Sequence, residues 1–178
     1  ISDSGLSITE WKPITGVLFP LSQSAWTLEF EKYKLIDEFK LINSLMTLNE
    51  FKFIYFWEWF HRFFARCIGI ILILPFIYFM ITKKISKKLF NSLIFVLFFG
   101  FFQAIVGWWM VKSGLSDNPY VSPYRLAFHL TNAIIILSIL LWLTLNSLEK
   151  KELGFLPLNK LEIIILLLLL LLFITIIS

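Results

Sequence analysis

The stretch FWEWFHRFFAR, residues 56–66, sets Glu58, His61, Arg62 and Arg66 among six aromatic residues. Sixteen uncharged residues follow, Cys67 to Thr82. Glu58 stands three positions before His61 and four before Arg62, and Arg66 repeats the four-residue step. On a helix these spacings bring side chains to a common face. Such a stripe offers a carboxylate for acid–base work, an imidazole that can hold a metal, and two guanidinium forks for an anion. The other histidine of the chain is His129. Two imidazoles make an axial ligand pair for a haem iron held between helices. They make a poor zinc site, because no Cys or Asp stands near to complete a tetrahedron.

The elements that must position these residues are hydrophobic spans. Of 178 residues 58% are hydrophobic, above the about 45–50% of a soluble domain. The excess is gathered into the runs 57–82, 89–111, 126–148 and 163–178. A helix needs about 20 apolar residues to cross a bilayer. The first three runs reach that length, and the fourth would do so if the chain continued. In lipid every backbone group must be satisfied internally. The expected fold is therefore all-α, a polytopic transmembrane helical bundle. Cys67, the single cysteine, lies inside a span and is expected to be an inert buried thiol. The chain opens on Ile1 and closes at Ser178 within an apolar run, so a longer parent protein is expected.

Orientation follows the basic residues. TKKISKK (82–88) carries four Lys and no acid, and EKKELGFLPLNK (149–160) carries three more Lys. Both belong on the cytoplasmic or matrix side, which leaves 1–55 and 112–125 on the outer, periplasmic side. The net charge of +4 is thus read as loop topology, not as affinity for nucleic acid. Thr47 and Glu50 form a capping box that opens the helix running into the first span. EFEKYKLIDEFKLI (29–42) has roughly helical apolar spacing. It is expected as an amphipathic helix on the outer surface, with a solvated packing helix as the alternative.

The first and third spans run in the same direction, so His61 and His129 each lie about one turn below the outer interface. The matched depth favours a shared haem over two interface histidines. Arg62 and Arg66 would pair with haem propionates or snorkel to headgroups. Glu58 would act as acid or base, or simply pair with Arg62. Gln103, bracketed by Gly100 and Gly107, reads as a packing position where helices approach closely. Thr131 and Asn132 follow His129 and can hydrogen-bond across helices. WWM (108–110) reads as an outer aromatic belt.

Three blocks carry a resemblance: SGLSITEWKPITGVLFPLS (4–22), MTLNEFKFIYFWEWFHRFFARCIG (46–69) and QAIVGWWMVKSGLSDNPYVSPYRLAFHL (103–130). With the spans between them, the whole chain resembles the haem A synthase family, in its mitochondrial and alphaproteobacterial branch. The resemblance implies an eight-helix inner-membrane protein, bacterial or mitochondrial, built from two similar four-helix halves. Each half carries a haem-ligating histidine pair. The N-terminal half would hold the substrate haem, and the C-terminal half a haem b that passes electrons. The implied reaction oxidises the C8 methyl of haem O to a formyl group, giving haem A for cytochrome c oxidase. By motif, His61 and His129 match the N-half ligands, and Glu58, within EW-x-HR, matches the acidic residue implicated in catalysis. The implied partners are haem O synthase, cytochrome c oxidase assembly, an electron donor and the lipid membrane. Self-association is left open and nucleic acid is not expected. On this resemblance one helix precedes Ile1, the chain stops within the fifth helix, and the piece alone is expected to be inactive. Some bacterial members carry a cysteine pair in the first outer loop. Residues 1–55 hold none, like the mitochondrial-type branch.

Two other readings compete. A bis-His b-type cytochrome exchanging electrons with quinone would share His61 and His129 but leaves Glu58 unexplained. An assembly or transport module would hold no haem. Because SGLSITEW lies on the same side as His61, residues 1–55 are also expected to fold over the outer face as a lid.

Overall fold

The computed structural model describes residues 6–10, 12, 16, 18–115 and 119–148. The expected loop 149–160 and the fourth span lie outside the described residues. Within them the order is α1 (Gln23–Tyr33), α2 (Asp37–Leu41), α3 (Leu48–Ile81), α4 (Lys87–Gly114) and α5 (Pro123–Leu148), with no strand. Among the described residues, three helices are long and apolar enough to cross a membrane: Leu48–Ile81, Lys87–Gly114 and Pro123–Ser147. α4 and α5 overrun their apolar runs by two or three residues, while α3 begins nine residues before its run, on the turns whose Phe51 and Tyr55 receive α1.

Each start has a local cause. Ser22 caps α1 by accepting from the Ala25 N–H at 3.2 Å. At α3, Glu50 accepts from the Thr47 N–H and hydroxyl, both at 2.7 Å, while Thr47 Oγ1 accepts from the Glu50 N–H at 3.4 Å. This is the expected capping box. Ser86 Oγ accepts from Leu89 N–H at 3.2 Å to open α4, and Pro123 opens α5. The end of α3 is a Schellman turn. Lys83 N–H reaches Met80 O at 3.2 Å, and Lys84 N–H reaches Phe79 O at 3.0 Å. Lys83 holds the left-handed position, with φ 53°.

The chain forms two compact units: 1–72 with 107–122, and 73–106 with 123–178. The core of the first is aromatic. Trp26, Phe30 and Tyr33 of α1, at i, i+4 and i+7, close on Phe51 and Tyr55 of α3. Phe30 and Phe51 lie 5.0 Å apart, Trp26 and Tyr55 5.2 Å, and Phe19 and Trp59 4.8 Å. Such pairs each contribute about 0.5–1.5 kcal/mol beyond their buried area.

This arrangement corrects the expectation of one surface helix over 29–42. The segment breaks into α1 and α2, with Ile36 extended between them. Six residues turn a helix by about 600°, which would leave Phe39 about 120° away from Tyr33. The break returns Phe39 to the same core, 5.6 Å from Tyr33 and 5.8 Å from Phe30. The apolar face of α1 therefore docks on the first turns of α3.

A second close approach in this unit involves Leu6, which is buried, and Gly114. A Cβ at Gly114 would meet Leu6 Cδ1 at 2.6 Å. Gly100, by contrast, has nothing within 4 Å of such a Cβ, so it is not the close-packing position expected of it.

In the second unit, Phe76 of α3 stacks on Phe90 of α4 at 5.4 Å across the lysine-rich turn. Phe102 of α4 meets Phe128 of α5 edge-on at 6.0 Å. Val96, Ala127 and Leu143 are buried. Most of the apolar side chains on α3 and α4 point outwards, Ile71 at 71% and Phe101 at 69% exposure among them. Outward apolar faces suit helices solvated by lipid tails.

Candidate functional site

The polar stripe of α3 divides in two. At about 100° per residue, Arg62 and Arg66 lie about 40° and 80° to one side of Glu58, while His61 lies about 60° to the other. The N-terminal segment covers the Glu58–Arg62–Arg66 side and leaves His61 exposed.

Glu58 is 7% exposed and accepts from three donors. Ser7 Oγ donates to Oε2 at 2.7 Å and Ile8 N–H donates to the same oxygen at 2.9 Å. Arg62 donates to Oε1 at 2.5 Å and reaches the Ile8 carbonyl at 3.5 Å. One turn on, Arg66 donates to the Lys12 carbonyl at 3.2 Å. The bland alternative for Glu58, an ion pair with Arg62, is thus present, and it is one third of a larger set. Ser7 and Ile8 are partners that the sequence did not single out. The only hint was that their block lies on the outer side with His61. Ser7, Ile8 and Lys12 of the N-terminal segment thus contact Glu58, Arg62 and Arg66 of α3, on the side away from His61.

Beside this face runs a groove of about 440 Å³, lined in part by Glu10, Lys12, Phe19, Tyr55, Arg62 and Arg66. Neither Glu58 nor His61 lines it. Both arginines therefore reach open space while they also hold backbone carbonyls. Outside the spans, Lys12 pairs with Glu10, and Lys32 bridges Glu10 and Glu29 at 3.0 Å each.

In the second unit, the surroundings of His129 are polar and ordered. Gln103 Nε2 on α4 donates to the His129 carbonyl at 3.0 Å and lies 3.3 Å from His129 Nε2. Asn132 Nδ2 donates to Gln103 Oε1 at 2.6 Å and to the Phe99 carbonyl at 3.4 Å. The network corrects the reading of Gln103 as a packing residue and bears out Asn132 as a cross-helix donor. Thr131 Oγ1 has no such partner among the described residues. Cys67 is half-buried.

Each of the two imidazoles is by its chemistry a ligand type that a haem iron accepts. His61 is exposed, and Gln103 Nε2 lies 3.3 Å from the His129 ring nitrogen Nε2. Neutral imidazole is a ligand for iron, and guanidinium groups facing open space suit carboxylates.

The family described as cytochrome oxidase assembly protein matches residues 1–178. A heme A synthase of Parvibaculum lavamentivorans is 47% identical over 152 residues, covering 85% of this chain and 44% of the relative. One of Flavobacterium psychrophilum is 47% identical over 165 residues, 90% of this chain and 48% of the relative. One of Rhizobium johnstonii is 52% identical over 143 residues, 80% of this chain and 39% of the relative. The chain thus spans about half the length, or less, of the curated relatives it matches. No solved structure matches it. With its three long apolar helices, the chain is a multi-pass membrane protein.

Proposed function

The chain belongs to the cytochrome oxidase assembly protein family, and from that premise we propose that it is the N-terminal half of a haem A synthase. The observation that carries this is the identity of 47% over 152 residues to a protein named heme A synthase. The proposed reaction is oxidation of the C8 methyl of haem O to a formyl group, serving cytochrome c oxidase assembly. Haem O, made by a haem O synthase, is the substrate. An electron donor and a second haem, a haem b in the other half, complete the proposal.

In this reading His61 and His129 each supply an axial nitrogen to the iron of the substrate haem. The exposure of His61 and the ordered polar shell of His129 support their assignment. Arg62 and Arg66 face the propionates, which is supported by their place along the groove. Glu58 is the acid–base residue. The N-terminal segment that holds it shields Glu58 from water, with residues 1–55 and 112–125 on the periplasmic side of a bacterial inner membrane, or the equivalent mitochondrial side. The lysines of 82–88 support that orientation.

The test is to express the full-length parent protein with a haem O supply, extract the haem and identify it by liquid chromatography with mass detection. Hydroxylated or formylated haem is expected. Haem b alone would replace the proposal with an electron-transferring cytochrome, and no haem would refute it. Glu58→Ala should abolish product while haem remains bound, and wild-type product in that variant would remove Glu58 from the chemistry.

A further inference from the structure

We propose that Gln103 caps the iron-ligating nitrogen of His129 in the haem-free protein, and that haem must displace this cap to bind. The proposal rests on the reading of His129 as a haem ligand.

The orientation of each amide in the network is settled by the carbonyls at its ends. The Phe99 carbonyl can only accept, so Asn132 presents Nδ2 to it. The same Nδ2 lies 2.6 Å from Gln103 Oε1, so Gln103 turns its oxygen to Asn132. The Gln103 nitrogen must then face the other way, where it meets the His129 carbonyl at 3.0 Å, again an acceptor only. Flipping Gln103 would set N–H against N–H at one end and oxygen against oxygen at the other. One N–H of Gln103 Nε2 is thus spent on the His129 carbonyl, and the second points at His129 Nε2, 3.3 Å away.

A side-chain amide nitrogen donates and does not accept. The contact is therefore a hydrogen bond only when His129 Nε2 carries a lone pair, which is the neutral Nδ1–H tautomer. That is also the tautomer that can give Nε2 to iron. Gln103 thus holds His129 in a ligating state while occupying the direction from which a metal would approach. Haem binding exchanges an N–H···N hydrogen bond for an iron–nitrogen bond. The exchange lowers haem affinity by about what one hydrogen bond is worth. For a haem that arrives as substrate and leaves as product, that is an advantage that a tightly held cofactor would not need.

The test titrates the detergent-solubilised protein with ferric haem. Gln103→Leu should bind haem roughly fivefold more tightly than wild type, within the range expected for one net hydrogen bond, and should keep the low-spin bis-imidazole absorption spectrum. Unchanged or weaker binding in the variant would overturn the cap and make Gln103 a residue that merely orients the ring. Gln103→Met, close to Gln in shape, makes the same comparison if the leucine variant does not fold. A second readout needs neither haem nor activity. With ¹⁵N-labelled histidine, and His61→Ala to assign the two rings, nitrogen chemical shifts should show His129 as the Nδ1–H tautomer in wild type. The Nε2–H tautomer would overturn the proposal. If His129→Ala leaves haem affinity unchanged, the ligand assignment fails and displacement by haem fails with it, while the nitrogen shifts still decide whether Gln103 caps the ring.

Discussion

Ser7 donates its hydroxyl to Glu58 Oε2 at 2.7 Å across 51 positions of sequence. With the Ile8 N–H on the same oxygen, it clamps the N-terminal segment to the third helix. Both side chains are buried. Removing one donor leaves a buried carboxylate short of a partner, a loss of about 1.5–3 kcal/mol for such a bond. Ser7→Ala should therefore raise the rate of protease cleavage within residues 6–22 roughly tenfold or more. Unchanged cleavage would mean that the clamp does not hold the segment.

Gly114 gives way to Leu6, whose Cδ1 and Cδ2 would stand 2.6 and 2.9 Å from an added Cβ. Leu6 is 3% exposed and has little room to retreat. Gly114→Ala should cost about 1–3 kcal/mol, as overpacking does, read as a lower thermal midpoint in detergent. Adding Leu6→Ala should recover part of that loss, since the two substitutions share one contact. Strict additivity would show that the contact is absent.

The charged cluster of the N-terminal segment sets a pH window. Hydrogen bonds from Lys12 and Lys32 hold the Glu10 carboxyl below its usual 4.5. Burial by itself would lower Lys32, but hydrogen bonds to Glu10 and Glu29 win and hold it above its usual 10.5. Glu10 thus contributes stability above its ordinary value that is lost as pH falls through the depressed one. Lys32 contributes below its ordinary value and loses that contribution as pH rises through the raised one. Docking of α1, followed by Trp fluorescence, should be flat between these limits and weaken beyond both. Glu10→Gln should flatten the acid limb. An acid limb unchanged in that variant would assign it to other groups.

Lys83 occupies a left-handed turn position that glycine adopts without penalty. Lys83→Gly should stabilise the protein by about 1 kcal/mol, the strain of an L-residue there. The thermal midpoint would rise, and a fall would mean that the lysine makes a contact worth more than the strain.

What the chain order made legible was local. The capping box at Thr47 and Glu50 needs only a three-residue offset, and the three spans need only their apolar length. The break at Ile36 carries no Gly or Pro to announce it. It follows from Tyr33 and Phe39 seeking one aromatic core, which is a tertiary demand. Ser7 and Ile8 could not be assigned to Glu58 because a segment fifty residues away carries no periodic link to it. Gly100 and Gly114 look alike as letters in apolar surroundings. Only the approach of Leu6 separates them. Gln103 hid for a similar reason, since its partners His129 and Asn132 lie on another helix.

The length of α3 has a consequence for biosynthesis. Its 34 residues span about 51 Å, roughly 20 Å more than the hydrocarbon thickness of a bilayer. The surplus includes the turns on which Trp26, Phe30 and Tyr33 rest. During synthesis those three residues leave the ribosome before Phe51 and Tyr55 emerge to receive them. Leu6 must wait longer still, until Gly114 has been made. The nascent segment therefore emerges with Trp26, Phe30 and Tyr33 uncovered, and they find their core only when the first turns of α3 follow.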